Sequence, residues 1–363
     1  MGYLRLLLAI SVVIAHSNAI FGCNLLGGPL AVETFYIISG FYMSLILNEK
    51  YVDQNNSYRL FISNRFLRIY PIYWIILLLT IGLGLYINGG RLEPFATYYS
   101  NMSPGSLVFL VGTNIFIFFQ DTVLFLGLNI NTGNLFFTQH FEATNPQLHH
   151  FLLVPQAWTL GIEMSFYLIA PFLVRRSIRV IIPVILLSLL IKVFLYRAGL
   201  NFDPWNYRFF PAELQFFLLG NISYVLYRKI RTLKINQWLL YLFFFFILGF
   251  TVFFDFIPLH KKNALYLVSF FVALPFIFYM SKNNKYDTYI GELSYPVYIS
   301  HLFVLQLLTI LKVVKIPNFG LILTISSIAF SILLNEFVSK KIEVLRQRRI
   351  KKNSVLPSLV NLK

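Results

Sequence analysis

Charge is what this sequence has least of. Only 12% of its 363 residues are charged, and just 14 of them are acidic. Soluble domains carry roughly 25% charged residues, so a water-soluble globular domain is excluded. There is one cysteine, Cys23. An intramolecular disulfide and a cysteine metal cluster are therefore both excluded. From Leu92 to Val174 there is no lysine or arginine. No soluble domain interrupts the chain, whose longest polar stretch is the tail after Ser339. No internal repeat of the kind that builds many transporters is visible.

What is present is apolar. Hydrophobic residues make up 58% of the chain, and the mean hydropathy is +0.70. Stretches long enough to cross a bilayer, which takes roughly 20 residues, recur throughout. Runs such as WLLYLFFFFILGF do not alternate, unlike the ~10-residue strands of a membrane β-barrel. The sequence predicts an all-α polytopic membrane protein. Its spans fall near 3–21, 31–47, 69–88, 156–174, 180–197, 210–228, 237–255, 264–281, 290–311 and 319–338.

The net charge of +16 is carried by clusters between these spans, such as RRSIR, RKIRTLK and KKIEVLRQRRIKK. Positives in that pattern set membrane topology and need no nucleic acid partner. The basic segments 48–68, 175–179, 228–234 and 282–285 and the tail share one side if both termini are cytoplasmic. One crossing by SLVFLVGTNIFIFFQDTVLFLGL would push every later basic turn outside. We therefore read 106–127 as re-entrant or interfacial. Irregular backbone at membrane depth needs cover from protein or a water-filled cavity, so this segment points to a cavity open to the outside. Residues 1–340 form the membrane domain and 341–363 a basic cytoplasmic tail.

Ionisable side chains inside spans are costly and mark function. His16, Glu33, Glu163 and His301 stand out. Arg5 and His16, eleven residues apart, share one helix face about 16 Å apart along the axis. A cleaved signal peptide is the weaker reading of this stretch: removing it leaves an odd number of spans and a poorer charge balance. A neutral imidazole at His16 suits a general base, and Glu33 could orient it as a carboxylate does in a triad. Ser39-Gly40 would let a second backbone approach closely. Arg65 and Arg68 are neighbours on one face at what reads as a helix start, a setting suited to phosphate. Pro71 fits such a start, and Tyr70, Tyr73 and Trp74 read as an interfacial belt. Pro296 should loosen the span that carries His301. His140, His149 and His150 lack metal-ligand spacing and read as loop residues, so no metal is expected.

In order along the chain, YLRLLLAISVVIAHS, VETFYIISGFYMS, NRFLRIYPIYW, AWTLGIEMSFYLIAPFL and LSYPVYISHL resemble the five signature segments of acyltransferase family 3. These are membrane O-acyltransferases of bacterial surface glycans and related substrates. Two positions depart from the family pattern: Thr159 replaces the usual serine, and Met164 stands where a second acidic residue is common. The resemblance implies a ten-helix domain in a bacterial plasma (inner) membrane. It implies transfer of an acyl group, usually acetyl and sometimes succinyl, from cytoplasmic acyl-CoA to a carbohydrate hydroxyl at the outer face. His16 would be catalytic with Glu33, and Arg5, Arg65 and Arg68 would bind the donor. Ser39, Tyr70, Trp158, Glu163 and His301 would support the substrates. An appended esterase-like domain, which some members carry, is not expected, so an acceptor-handling partner would be a separate chain. The rival reading is a multi-span transporter or flippase, in which histidine and glutamate relay protons.

Overall fold

The computed structural model describes residues 1–51 and 57–360. Its long helices are α1 (Gly2–Ala15), α2 (Gly28–Glu49), α3 (Ser57–Tyr86), α5 (Pro104–Phe116), α6 (Trp158–Leu173), α7 (Ile178–Arg197), α8 (Phe210–Ile230), α9 (Gln237–Val252), α10 (Lys262–Ser281), α11 (Lys285–Ile310), α12 (Phe319–Leu334) and α13 (Lys340–Val360). A short α4 (Glu93–Tyr98) and one two-stranded hairpin, β1 (Leu126–Leu128) with β2 (Leu135–Phe137), complete it. Six helical segments are long and apolar enough to cross a membrane. The chain is an all-α polytopic membrane protein with a minor hairpin.

Helix ends reveal which way each element runs. Asp287, in the first turn of α11, accepts from the Gly2 and Tyr3 amides at 2.8 and 3.2 Å. The carboxylate thereby satisfies orphan donors at the start of α1. α1 and α11 therefore begin together, at what we term the near rim. Their approach is close: a Cβ on Gly2 would sit 1.6 Å from the Asp287 carbonyl oxygen. Arg175, after α6, donates to Leu47 O and Tyr51 O, and Arg231, after α8, pairs with Glu49. The ends of α2, α6 and α8 thus meet at the same rim.

α2 and α8 cross at two glycines. A Cβ on Gly40 would lie 1.8 Å from Phe217 O, and one on Gly220 2.0 Å from Ile37 O. Only hydrogen fits between these backbones, as the Ser39-Gly40 pair predicts.

The segment without lysine or arginine forms a cap at the far end. α5, capped by Ser103, runs back beside α3 as far as the level of Tyr70. The chain then reverses through Ile117 and Phe119, both at positive φ. Tyr70 donates to Phe116 O, Tyr73 to Asn114 O and Trp74 Nε1 to Ile115 O at 3.0 Å. The aromatic trio therefore clasps this turn; Tyr70 and Tyr73 are buried and do not form an interfacial belt, while Trp74 stays exposed. Leu110, Val123, Leu128, Leu148 and Phe151 give the cap its own small core.

Two local expectations need correction. The first helix stops at Ala15, not near 21. α3 starts at Ser57, so Pro71 is internal and Arg65 and Arg68 lie beyond its first two turns. No helix dipole assists them, because that effect fades within the first turn. Separately, the chain continues past α12 through a π-turn at Asn335–Ser339 into α13, which contacts α3 through Arg349.

Candidate active site

Two cavities open into the bundle from opposite ends. The near-rim cavity, of about 450 Å³, holds Arg5, Arg65 and Arg68 together with Ser39, Glu163 and Tyr298. The far-end cavity, of about 370 Å³, holds His16, Trp158, His149, Arg208, Gln156 and Tyr298. Val32 and Tyr298 line both, so they form the wall between them.

The three arginines come from α1 and α3 and converge on one space. None makes a salt bridge among the described residues. Arg5 lies over the Tyr42 ring at 5.7 Å, and Arg65 over Phe61 at 5.8 Å. Cations left without a protein carboxylate are free to bind an anionic ligand. Glu163 faces the same cavity, but its Oε1 accepts from Ser39 Oγ at 2.7 Å and from the Tyr167 hydroxyl. Ser39 is therefore a hydrogen-bonding member of the wall as well as a packing residue.

His16 closes α1 at its C-cap and is accessible from the far-end cavity. Its Nδ1 lies 2.9 Å from Val12 O and 3.4 Å from His301 Nε2. A carbonyl oxygen only accepts, so Nδ1 carries the proton in the neutral ring. That assignment leaves Nε2 bare. His301 is fully buried, and its own Nδ1 lies 2.6 Å from Tyr298 O. By the same logic its Nε2 is the acceptor facing His16. Tyr298 in turn bonds Thr159 Oγ1 at 2.7 Å and Gln156 O at 2.9 Å. The backbone of one wall residue thus orients His301, which orients His16.

Glu33 does not reach this chain of contacts. Its Oε1 accepts from Lys192 Nζ at 2.7 Å, and the same ammonium bonds Glu213 at 3.0 Å. The expectation that Glu33 orients His16 is corrected accordingly: Glu33 belongs to a charge triad joining α2, α7 and α8. Glu213 is wholly buried, and burial of a carboxylate demands a partner. Tyr70, bound to the α5 turn, lines neither cavity. Trp158 does line the far one, with the Arg208 guanidinium 4.2 Å from its ring.

Three residues here, Arg208, Asp203 and Tyr207, carry no sequence expectation, and His149 was expected only as a loop residue. Arg208 forks onto Asp203 with contacts of 2.5 and 2.7 Å, and Tyr207 bonds the same carboxylate at 3.1 Å. They sit in the α7–α8 loop, whose lone Asp and Arg among aromatics were the available signal. His149 faces the far cavity rather than bulk solvent. Its ring centroid lies 4.0 Å from that of His150, tilted, and 5.4 Å from that of Phe141, edge-on. Burial first, then His150, hold the His149 imidazole down at about 4.

The fold and site together define a membrane-embedded helical protein with an anion-ready cavity at one end and a histidine-lined one at the other. Residues 1–336 match the acyltransferase domain of acyltransferase family 3. The chain belongs to that family and is a membrane acyltransferase. Searches of curated proteins and of solved structures returned no match.

Proposed function

We propose that this protein moves an acyl group, acetyl by preference, from cytoplasmic acyl-CoA to a hydroxyl of a cell-surface carbohydrate or its lipid-linked precursor. In this reading the near rim faces the cytoplasm of a bacterium across its plasma membrane. Ten helices cross, both termini are cytoplasmic, and 106–127 is re-entrant. The basic turns gathered at the near rim favour that orientation, and the reversal at Ile117–Phe119 is the shape a re-entrant segment needs. α1 is 14 residues long. That gives it a length of about 21 Å, short of the ~30 Å hydrocarbon core. The far cavity therefore dips below the outer surface to meet His16.

The observation that carries the reading is the shared wall. Unpaired arginines line one side, and an accessible histidine with a bare Nε2 lines the other. Arg5, Arg65 and Arg68 hold the phosphates of coenzyme A, and its arm points toward Tyr298. His16 Nε2 removes the acceptor hydroxyl proton. The oxygen attacks the thioester carbonyl, the new C–O bond forms, and the C–S bond breaks. The thiolate leaves and takes its proton from the imidazolium. His301 is a positioning residue that fixes the His16 ring. General-base catalysis contributes about 10²–10⁴-fold, so His16→Ala should lose at least that factor.

The test uses purified protein in sealed vesicles with isotopically labelled acetyl-CoA. Label moving to water or to an added glycan, dependent on His16, supports the reading. Equal turnover by wild type and His16→Ala, or solute uptake with no acyl chemistry, overturns it.

A further inference from the structure

The tail helix α13 carries an arginine that the site so far does not use. Arg346 is 5% exposed and lines the near-rim cavity with Glu343, Gln347 and Ile350. Its Nη1 bonds Glu343, but its buried Nε has no partner. Arg65, 6% exposed, has the same defect: its buried Nε is also unpartnered. Arg346 lies within electrostatic reach of both Arg65 and Arg68. Two buried guanidiniums with unmet donors, beside a third cation, are an arrangement that costs stability unless an anion joins them.

The arrangement is held in place from outside the cavity. Arg349, one position beyond Arg348 on α13, donates to Ser63 Oγ at 2.8 Å and to Asn64 Oδ1 at 3.2 Å on α3. Asn64 is itself fixed by its bond to the Tyr51 hydroxyl at 3.0 Å. α13 is thus pinned to the helix that carries Arg65 and Arg68.

We propose that Arg346 is a further donor-binding residue, and that α13 closes the near-rim cavity over a phosphate group of the acyl donor held between Arg346 and Arg65. The inference rests on the donor reading given above. The anion is the phosphate of a nucleotide thioester, and Glu343 is the internal counter-ion it displaces in part. Charge-assisted and bidentate contacts of this kind are the strong ones. Lys282, Lys50, Glu292 and the Asp287 carboxylate also line this cavity, so its field is mixed; the Tyr36 and Ser281 hydroxyls there also lack partners, but among the described residues its charged buried donors without one belong to Arg65 and Arg346.

The full-length protein in detergent or nanodiscs is titrated with coenzyme A, and thermal stability is followed with and without it. Arg346→Gln should weaken coenzyme A binding at least tenfold. Without ligand it should melt at the same temperature as wild type or higher, because a like charge has been removed. Its ligand-induced rise in melting temperature should be largely lost. Glu343→Gln, which frees Arg346, should bind coenzyme A more tightly than wild type. Inorganic phosphate is the second probe: competition with coenzyme A in wild type but not in Arg346→Gln assigns the contact to a phosphate. Wild-type binding of coenzyme A with unchanged affinity in Arg346→Gln overturns this inference and leaves the donor reading intact. No coenzyme A binding by wild type overturns both. A ligand-free Arg346→Gln protein that melts well below wild type marks a purely structural arginine and also overturns it.

Discussion

His16 and Glu33 were drawn together by their residue types and separated by Lys192. Each is an ionisable group in an apolar run, and pairing them is the simplest way to make both affordable. The sequence holds two more such groups, Lys192 in α7 and Glu213 in α8, and these take Glu33 instead. The distinction is testable. Lys192→Met leaves the buried Glu213 without its cation, and breaking a buried pair costs about 3–5 kcal/mol. Lys192 is itself a quarter exposed, so solvent screening places the loss toward the lower end. The variant should melt earlier than wild type yet keep its acyl-transfer rate per folded molecule. A variant of normal stability with no activity would return Glu33 and its neighbours to the catalytic chain. His16 itself was legible, because an imidazole at the end of an apolar helix has few cheap explanations. Its orienter was not: His301 lies 285 positions away, and its contact depends on α1 and α11 starting together at Asp287.

At the scale of elements, close crossings and the cap dominate. Gly220→Ala places a methyl 2.0 Å from Ile37 O. In an open helix the same change stabilises by up to ~1 kcal/mol, so its sign reads the crossing directly. Gly220→Ala should lower the melting temperature, whereas Gly249→Ala, which meets nothing within 4 Å, should leave it unchanged or raise it. Equal effects at both sites would argue against the α2–α8 contact. In the cap, His149 makes stability depend on pH. The unfolded imidazole titrates near 6.5, and the folded one near 4. As pH falls through that window, the unfolded chain takes up a proton that the folded one refuses. Stability therefore drops between about 6.5 and 4 and levels off below. His149→Asn should flatten that part of a melting-temperature profile; a profile as steep as wild type would count against the burial of this ring. The cap also shows where sequence reading stops. The missing lysines and arginines argued against an ordinary crossing at 106–127, and in the structure α5 stops at Phe116 and the chain reverses through Ile117 and Phe119. The clasp by Tyr70, Tyr73 and Trp74 was read instead as a membrane belt, because aromatic placement alone does not distinguish lipid headgroups from a neighbouring turn's carbonyls.

At the scale of the whole molecule, spans and basic turns were legible because bilayer thickness and charge asymmetry act locally along the chain. The ten apolar stretches reappear as ten helices, six of them long and apolar enough to cross a membrane, with boundaries displaced mainly where α1 ends early and α3 starts early. The tail was not legible. Its charges fit a solvated extension as well as a cavity lining, and only its packing on Ser63 and Asn64 separates the two. What the assembled bundle adds is the relation between two ends: arginines that want an anion on one side of Tyr298, and a histidine with a bare nitrogen on the other. The most direct measurement is mass spectrometry of surface glycans from cells making wild-type protein or His16→Ala at equal membrane levels. The account predicts that one acyl substituent present with wild type disappears with His16→Ala. The same acylation at undiminished stoichiometry in both strains would contradict it.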